Sequence, residues 1–104
     1  MHARLTLLEL DTLRIDMDDA LARFTADVAP ALREQPGYRG VLVLTTPEGK
    51  GALVSLWETR EQAEAGGDHG FYAEALGGFA TFFRSPPGRS SYEVVYVDEP
   101  ARIG

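Results

Sequence analysis

The chain holds one tryptophan, Trp57, at the seam of the stretch GALVSLWETREQAEA (Gly51 to Ala65), where alternating apolar residues give way to a polar helix start. If Pro47, Glu48 and Gly49 form a hairpin turn, the register sets Val43 opposite Leu53, Val41 opposite Ser55 and Arg39 opposite Trp57. An arginine over an indole gains roughly 0.5–2 kcal/mol as a cation–π contact. The same pair, flanked by Val41 and Leu53, could hold a flat, anionic aromatic ligand. The plainer alternative is a tryptophan core plug capped by a surface arginine. His69 lies in GGDHG (Gly66 to Gly70), a glycine-rich break where backbone motion is cheap. It could serve as a general base near neutral pH, or be an exposed loop histidine. Tyr72 follows the break and has a polar tip, while Phe79, Phe82 and Phe83 are spaced as core. The other histidine, His2, is expected to fray with the N-terminus. No H-x-H or H-E-x-x-H spacing occurs, so no metal site is expected.

Composition narrows the chemistry further. The 104 residues contain no cysteine, which removes disulfides, thiolate nucleophiles and cysteine-ligated metals. Acidic residues number 16 against 10 basic ones, with a single lysine, Lys50, and nine scattered arginines. That balance lacks the basic footprint of a nucleic-acid binder and suits an anionic membrane surface poorly. No apolar run is long enough to span a bilayer and no secretory signal is visible, so the chain reads as one cytoplasmic domain over residues 1–104, with a frayed tail at 99–104.

These side chains need a scaffold. ARLTLLEL (Ala3 to Leu10) reads as a strand. Asp16 is an N-cap, with Asp18 and Asp19 facing the dipole of a helix whose apolar stripe is Met17, Leu21, Phe24, Val28 and Leu32. Pro30 falls inside that stripe and predicts a kink near Ala26 or a break. Tyr38–Thr46 and Lys50–Glu58 form a hairpin around PEG. Thr59 and Gln62 make a capping box that starts a second helix at Arg60, interrupted at Gly66–Gly70 and resumed from Phe71. Arg84–Ser90 reads as a loop and Ser91–Asp98 as the last strand. The order β-α-β-β-α-β predicts an α+β, ferredoxin-like sandwich: a four-stranded antiparallel sheet with two helices on one face.

Two helices cover one face only, yet the middle strands are apolar on both. Tyr38, Leu42 and Leu44 alternate with Val41 and Val43; Ala52, Val54 and Leu56 alternate with Leu53 and Trp57. The last strand sets Tyr92, Val94 and Tyr96 against Val95 and Val97. An uncovered apolar face predicts association, here a two-fold homodimer packed sheet to sheet, with Tyr92 and Tyr96 near the seam.

The order EQPGYRGVLVL…GALVSLWETREQAEA…FYAEALGGFATFF…YEVVYVD resembles the antibiotic biosynthesis monooxygenase domain of the dimeric α/β-barrel superfamily over nearly the whole chain. The PGY entry to the second strand and the WETREQA junction carry most of the likeness. The resemblance implies a ferredoxin-like protomer, a dimeric α/β barrel and, in some members, oxygenation of aromatic substrates without flavin, metal or haem. Polyketide-oxidising members share the tryptophan but have an asparagine where this chain has Leu53. Haem-degrading members use an asparagine on the first strand and a histidine at the position of Gly66; this chain contains no asparagine, which disfavours that activity. The expected function is a cofactor-independent monooxygenase of a small phenolic or quinone-like metabolite, with Trp57, His69 and Arg39 in catalysis and Tyr72, Leu53 and Val41 against the substrate. A non-catalytic dimeric barrel that binds a small hydrophobic ligand or acts in a stress response is the alternative.

Overall fold

The computed structural model describes residues 1–65 and 88–98. Four antiparallel strands form one sheet in the order β2-β3-β1-β4, with β1 at His2–Glu9, β2 at Tyr38–Thr45, β3 at Lys50–Trp57 and β4 at Gly88–Glu93. This is the strand order of the ferredoxin-like sandwich. The helical stretches α1 (Met17–Arg23), α2 (Ala29–Arg33) and α3 (Arg60–Ala65) lie on one face of the sheet and enclose the core with Leu53 and Trp57. No helix among the described residues is long and apolar enough to cross a membrane.

Local chemistry sets the elements. Asp16 caps α1 by accepting from the Asp19 amide at 2.8 Å, with Asp18 and Asp19 in the first turn. A π-helical turn, Phe24–Val28, joins α1 to α2, and the Ala29 amide donates to the Phe24 carbonyl, five residues back. Pro30 has no amide and its ring would crowd the Ala26 carbonyl; the wider turn relieves that conflict and keeps the helix continuous. The irregularity expected from Pro30 is therefore a π bulge. The buried row is Ala20, Phe24, Val28 and Leu32, while Leu21 lies on the flank of the stripe, 45% exposed. The capping box forms as read: the Gln62 amide donates to Thr59 Oγ1 at 3.1 Å and the Thr59 amide to Gln62 Oε1 at 3.2 Å.

Two expectations are corrected. The last strand occupies Gly88–Glu93, so Gly88–Ser90 are strand where a loop was expected and Val94–Asp98 are not. Glu93 pairs with His2 and the Val94 amide reaches the Met1 carbonyl at 3.0 Å. Among the described residues no strand pairs with Val95–Val97, so their β propensity has no partner there to act on. Second, the β2–β3 register holds from Gly40↔Leu56 to Thr45↔Gly51 but slips between Tyr38 and Gly40. Arg39 is the extra residue of a bulge, which puts Tyr38, not Arg39, opposite Trp57. Tyr38 thereby moves to the helix-covered face with Val41 and Val43. The resumed second helix and the aromatic residues on it lie outside the described residues.

Candidate functional site

Trp57 belongs to the interior. It is 1% exposed on the helix-covered face, where its indole N–H donates to Ser55 Oγ at 2.9 Å. The Tyr38 ring meets it edge-on, with centroids 5.9 Å apart and planes at 73°. Sequence alternation puts Leu53, Ser55 and Trp57 on one face of β3, and all three are buried. The ring therefore closes the seam between sheet and helix, and Tyr38 holds it there.

Arg39 is not beside the indole. Its Nη1 donates to Glu58 Oε1, and both side chains are more than half exposed. The bulge that turns Arg39 outward thus sets it over the carboxylate that follows Trp57 in sequence. Val41 packs half-buried against the core, and Leu53 is buried within it. The structure brings Trp57, Val41 and Leu53 to one face and leaves Arg39 on the rim. His69 and Tyr72 lie outside the described residues.

The same face carries polar residues on β1 that pattern reading passed over. Cross-strand pairing aligns His2 with Trp57, Arg4 with Ser55 and Thr6 with Leu53. Arg4 is 5% exposed, and its Nη1 donates to the Ala63 carbonyl of α3 at 3.1 Å. Ser55 Oγ lies 3.5 Å from the Arg4 carbonyl. Thr6 is 1% exposed, and among the described residues its Oγ1 has no hydrogen-bond partner; the same holds for the buried Nε2 of His2. A guanidinium, two hydroxyls, an indole N–H and an imidazole thus line the interior side of the two central strands. The signal was present in ARLTLLEL: Arg4 and Thr6 alternate onto the face of Leu8. His2, expected to fray, is the first residue of β1.

Beside this strip, at the Trp57 end of the sheet, a cleft of about 360 Å3 is lined by Met1, His2, Glu58, Arg60 and Glu93. Its α3 wall is tied by charge: Arg60 Nε donates to Glu64 Oε1 at 3.1 Å, and Ser91 Oγ donates to the same oxygen at 3.1 Å. The hydrogen bond from Arg60, then that from Ser91, holds the Glu64 carboxyl below the usual carboxylate range, and the Glu64 hydrogen bond raises Arg60 above its ordinary value. At the hairpin end of the sheet a separate apolar cavity of about 40 Å3 lies between α1 and the strands, among Leu8, Leu10, Phe24, Val43 and Leu53. It could take a small apolar group but not an aromatic ring. Among the described residues no cluster of three or more histidine, aspartate or glutamate side chains could hold a metal.

Comparison with known proteins gives a clear structural match. The chain matches no protein-family model and no curated protein sequence significantly. Among solved structures it is similar to a monooxygenase of Streptomyces coelicolor in complex with the ligand nanaomycin D (TM-score 0.71, 16% identity, 96% of this chain and 92% of that one). It is similar to a cofactor-independent oxygenase of Streptomyces nogalater (TM-score 0.73, 8% identity, 96% and 97% covered). A protein of unknown function from Nitrosomonas europaea matches at TM-score 0.72 and 22% identity over 97% and 95% of the two chains. The chain has the fold of the antibiotic biosynthesis monooxygenases. In this monooxygenase fold the polar strip lies between the sheet and the helices, and the face opposite carries the apolar surface of the sheet. At 8–22% identity the likeness is one of backbone architecture.

Proposed function

We propose that the protein is a monooxygenase that needs no cofactor and acts on a small phenolic or quinone-like aromatic molecule, working as a homodimer. The observation that carries this reading is the polar strip of Arg4, Thr6, Ser55 and Trp57, buried on the helix side of the central strands and adjoining a cleft of about 360 Å3. Interior polar groups cost free energy unless they meet partners, and in this strip Thr6 Oγ1 meets none among the described residues. An aromatic substrate oxidised without a cofactor must itself pass an electron to dioxygen, as a phenolate or carbanion. Such a site has to remove a proton and then hold an anion away from water. The buried guanidinium of Arg4 takes the anion-holding role that the sequence pattern assigns to Arg39, and Trp57 orients the Ser55 hydroxyl while walling the site.

The dimer rests on the open face of the sheet. Leu5, Leu7, Leu42, Leu44, Val54, Leu56 and Tyr92 point away from the helices, and Leu7, Leu44 and Tyr92 are each more than half exposed. A second copy meeting this face would bury it about a two-fold axis.

The test is oxygen uptake by purified protein with an anthrone-type phenol, without added metal or flavin. Arg4→Gln should lower the rate by more than about tenfold, on the scale of roughly 1.4 kcal/mol of lost transition-state stabilisation. One observation favours a second reading, a non-catalytic dimeric barrel with no ligand beside Trp57: Leu53 and Trp57 are sealed in the core. A folded protein that neither binds the phenol nor takes up oxygen with it would select that reading.

A further inference from the structure

We propose that His2 is the general base of this site, an assignment that rests on the oxygenase reading above. The imidazole stands where the solvent-facing cleft meets the buried strip. It pairs across the sheet with Trp57 on one side and Glu93 on the other, and it lines the cleft with Glu58, Arg60 and Glu93. Its Nε2 is buried and makes no hydrogen bond among the described residues. That nitrogen is committed to no described partner, so a turn of the ring toward the cleft would present it to a ligand, and imidazole is the side chain suited to proton exchange near neutral pH.

The surrounding charges suit the task. Glu58 is engaged by Arg39, and Glu64 on α3 by Arg60 and Ser91. Glu93 on β4 is the cross-strand neighbour of His2, and the Glu64 carboxyl, held low by Arg60 and Ser91, also feels His2; both carboxylates are placed to steady the imidazolium once formed. Arg4 follows two residues along the same face of β1, about 6–7 Å away at the rise of a strand. In the step assigned to His2, the acidic bond of the ligand, the O–H of a phenol or the benzylic C–H of an anthrone, breaks and an Nε2–H bond forms, leaving the electron pair on the ligand. The resulting anion shares the cleft with the Arg60 guanidinium that lines it.

The experiment uses dithranol, an anthrone with a coloured anion, titrated anaerobically into the full chain so that ionisation is read apart from oxidation. The wild type should bind it and develop the anion spectrum at pH 7. His2→Gln should bind it comparably but show at least about tenfold less anion, and lose about a hundredfold in oxygen uptake once air is admitted. Exogenous imidazole should restore part of that loss. An unchanged melting temperature and circular dichroism spectrum for His2→Gln exclude misfolding as the cause. If His2→Gln ionises the probe as the wild type does, the base assignment is overturned while the oxygenase reading stands. If the wild type binds no probe, both fall.

Discussion

Thr6 presents the sharpest conflict between stability and use. Its hydroxyl is buried without a hydrogen-bond partner among the described residues, a condition that costs about 1–3 kcal/mol of desolvation. Valine has nearly the same shape and favours strands. Thr6→Val should therefore raise the unfolding free energy by about 1 kcal/mol in urea titration, and it should weaken the binding of a phenolic ligand if the hydroxyl donates to it. A destabilised Thr6→Val would show that the hydroxyl is satisfied in the folded state. Glu64 gives a pH signature at the same scale. Its carboxyl is held below the usual range by Arg60 and Ser91, so it binds protons less readily folded than unfolded. The stability it contributes is present above the unfolded carboxylate range, near pH 4–4.5, and is lost as pH falls through the lower folded value. Glu64→Gln should flatten the wild type's loss of stability between about pH 5 and 3. The difference should be small and shrink in high salt, because the pair is exposed.

Elements are joined here by close backbone approaches. Gly37 has φ +80°, and a Cβ on it would lie 1.8 Å from Gln62 Oε1. That oxygen is the one that receives the Thr59 amide in the capping box, and the Gly37 carbonyl accepts from the Glu58 amide at 2.9 Å. The turn after α2 and the start of α3 are thus one joint. Gly37→Ala should cost about 1–3 kcal/mol, from the left-handed backbone together with displacement of Gln62. The loss should appear both in the melting temperature and in faster exchange of the Thr59 and Gln62 amides. Gln62→Ala should remove the steric part of the conflict, so that the double variant is less destabilised than the sum of the single ones.

At the scale of the whole molecule the question is the uncovered sheet. Leu42 and Leu44 on β2 and Tyr92 on β4 span its width. Val95 and Tyr96 beyond β4 are 85% and 78% exposed. Light scattering at micromolar concentration should give the mass of a dimer, and Leu42→Glu with Leu44→Glu should give a monomer with the same circular dichroism spectrum. A wild-type monomer would leave the apolar face unexplained by self-association.

Sequence alone determined the elements and their order. Period-two and period-3.6 patterns, the Asp16 cap, the Thr59–Gln62 box and the PEG turn are local signals, and short-range backbone chemistry enforces them in any context. The same alternation put Leu53, Ser55 and Trp57 on one face and left the other face apolar. Tertiary structure decided which face the helices cover, and therefore that Trp57 is interior and that Arg4, Thr6 and His2 share its layer. It also moved Arg39 to the rim, because a bulge at the start of β2 changes side-chain parity by one residue. The end of β4 was decided the same way. Val94–Val97 have the composition of a strand, but a strand exists only where a neighbour supplies the other half of its hydrogen bonds, and among the described residues no strand supplies it beyond Val94.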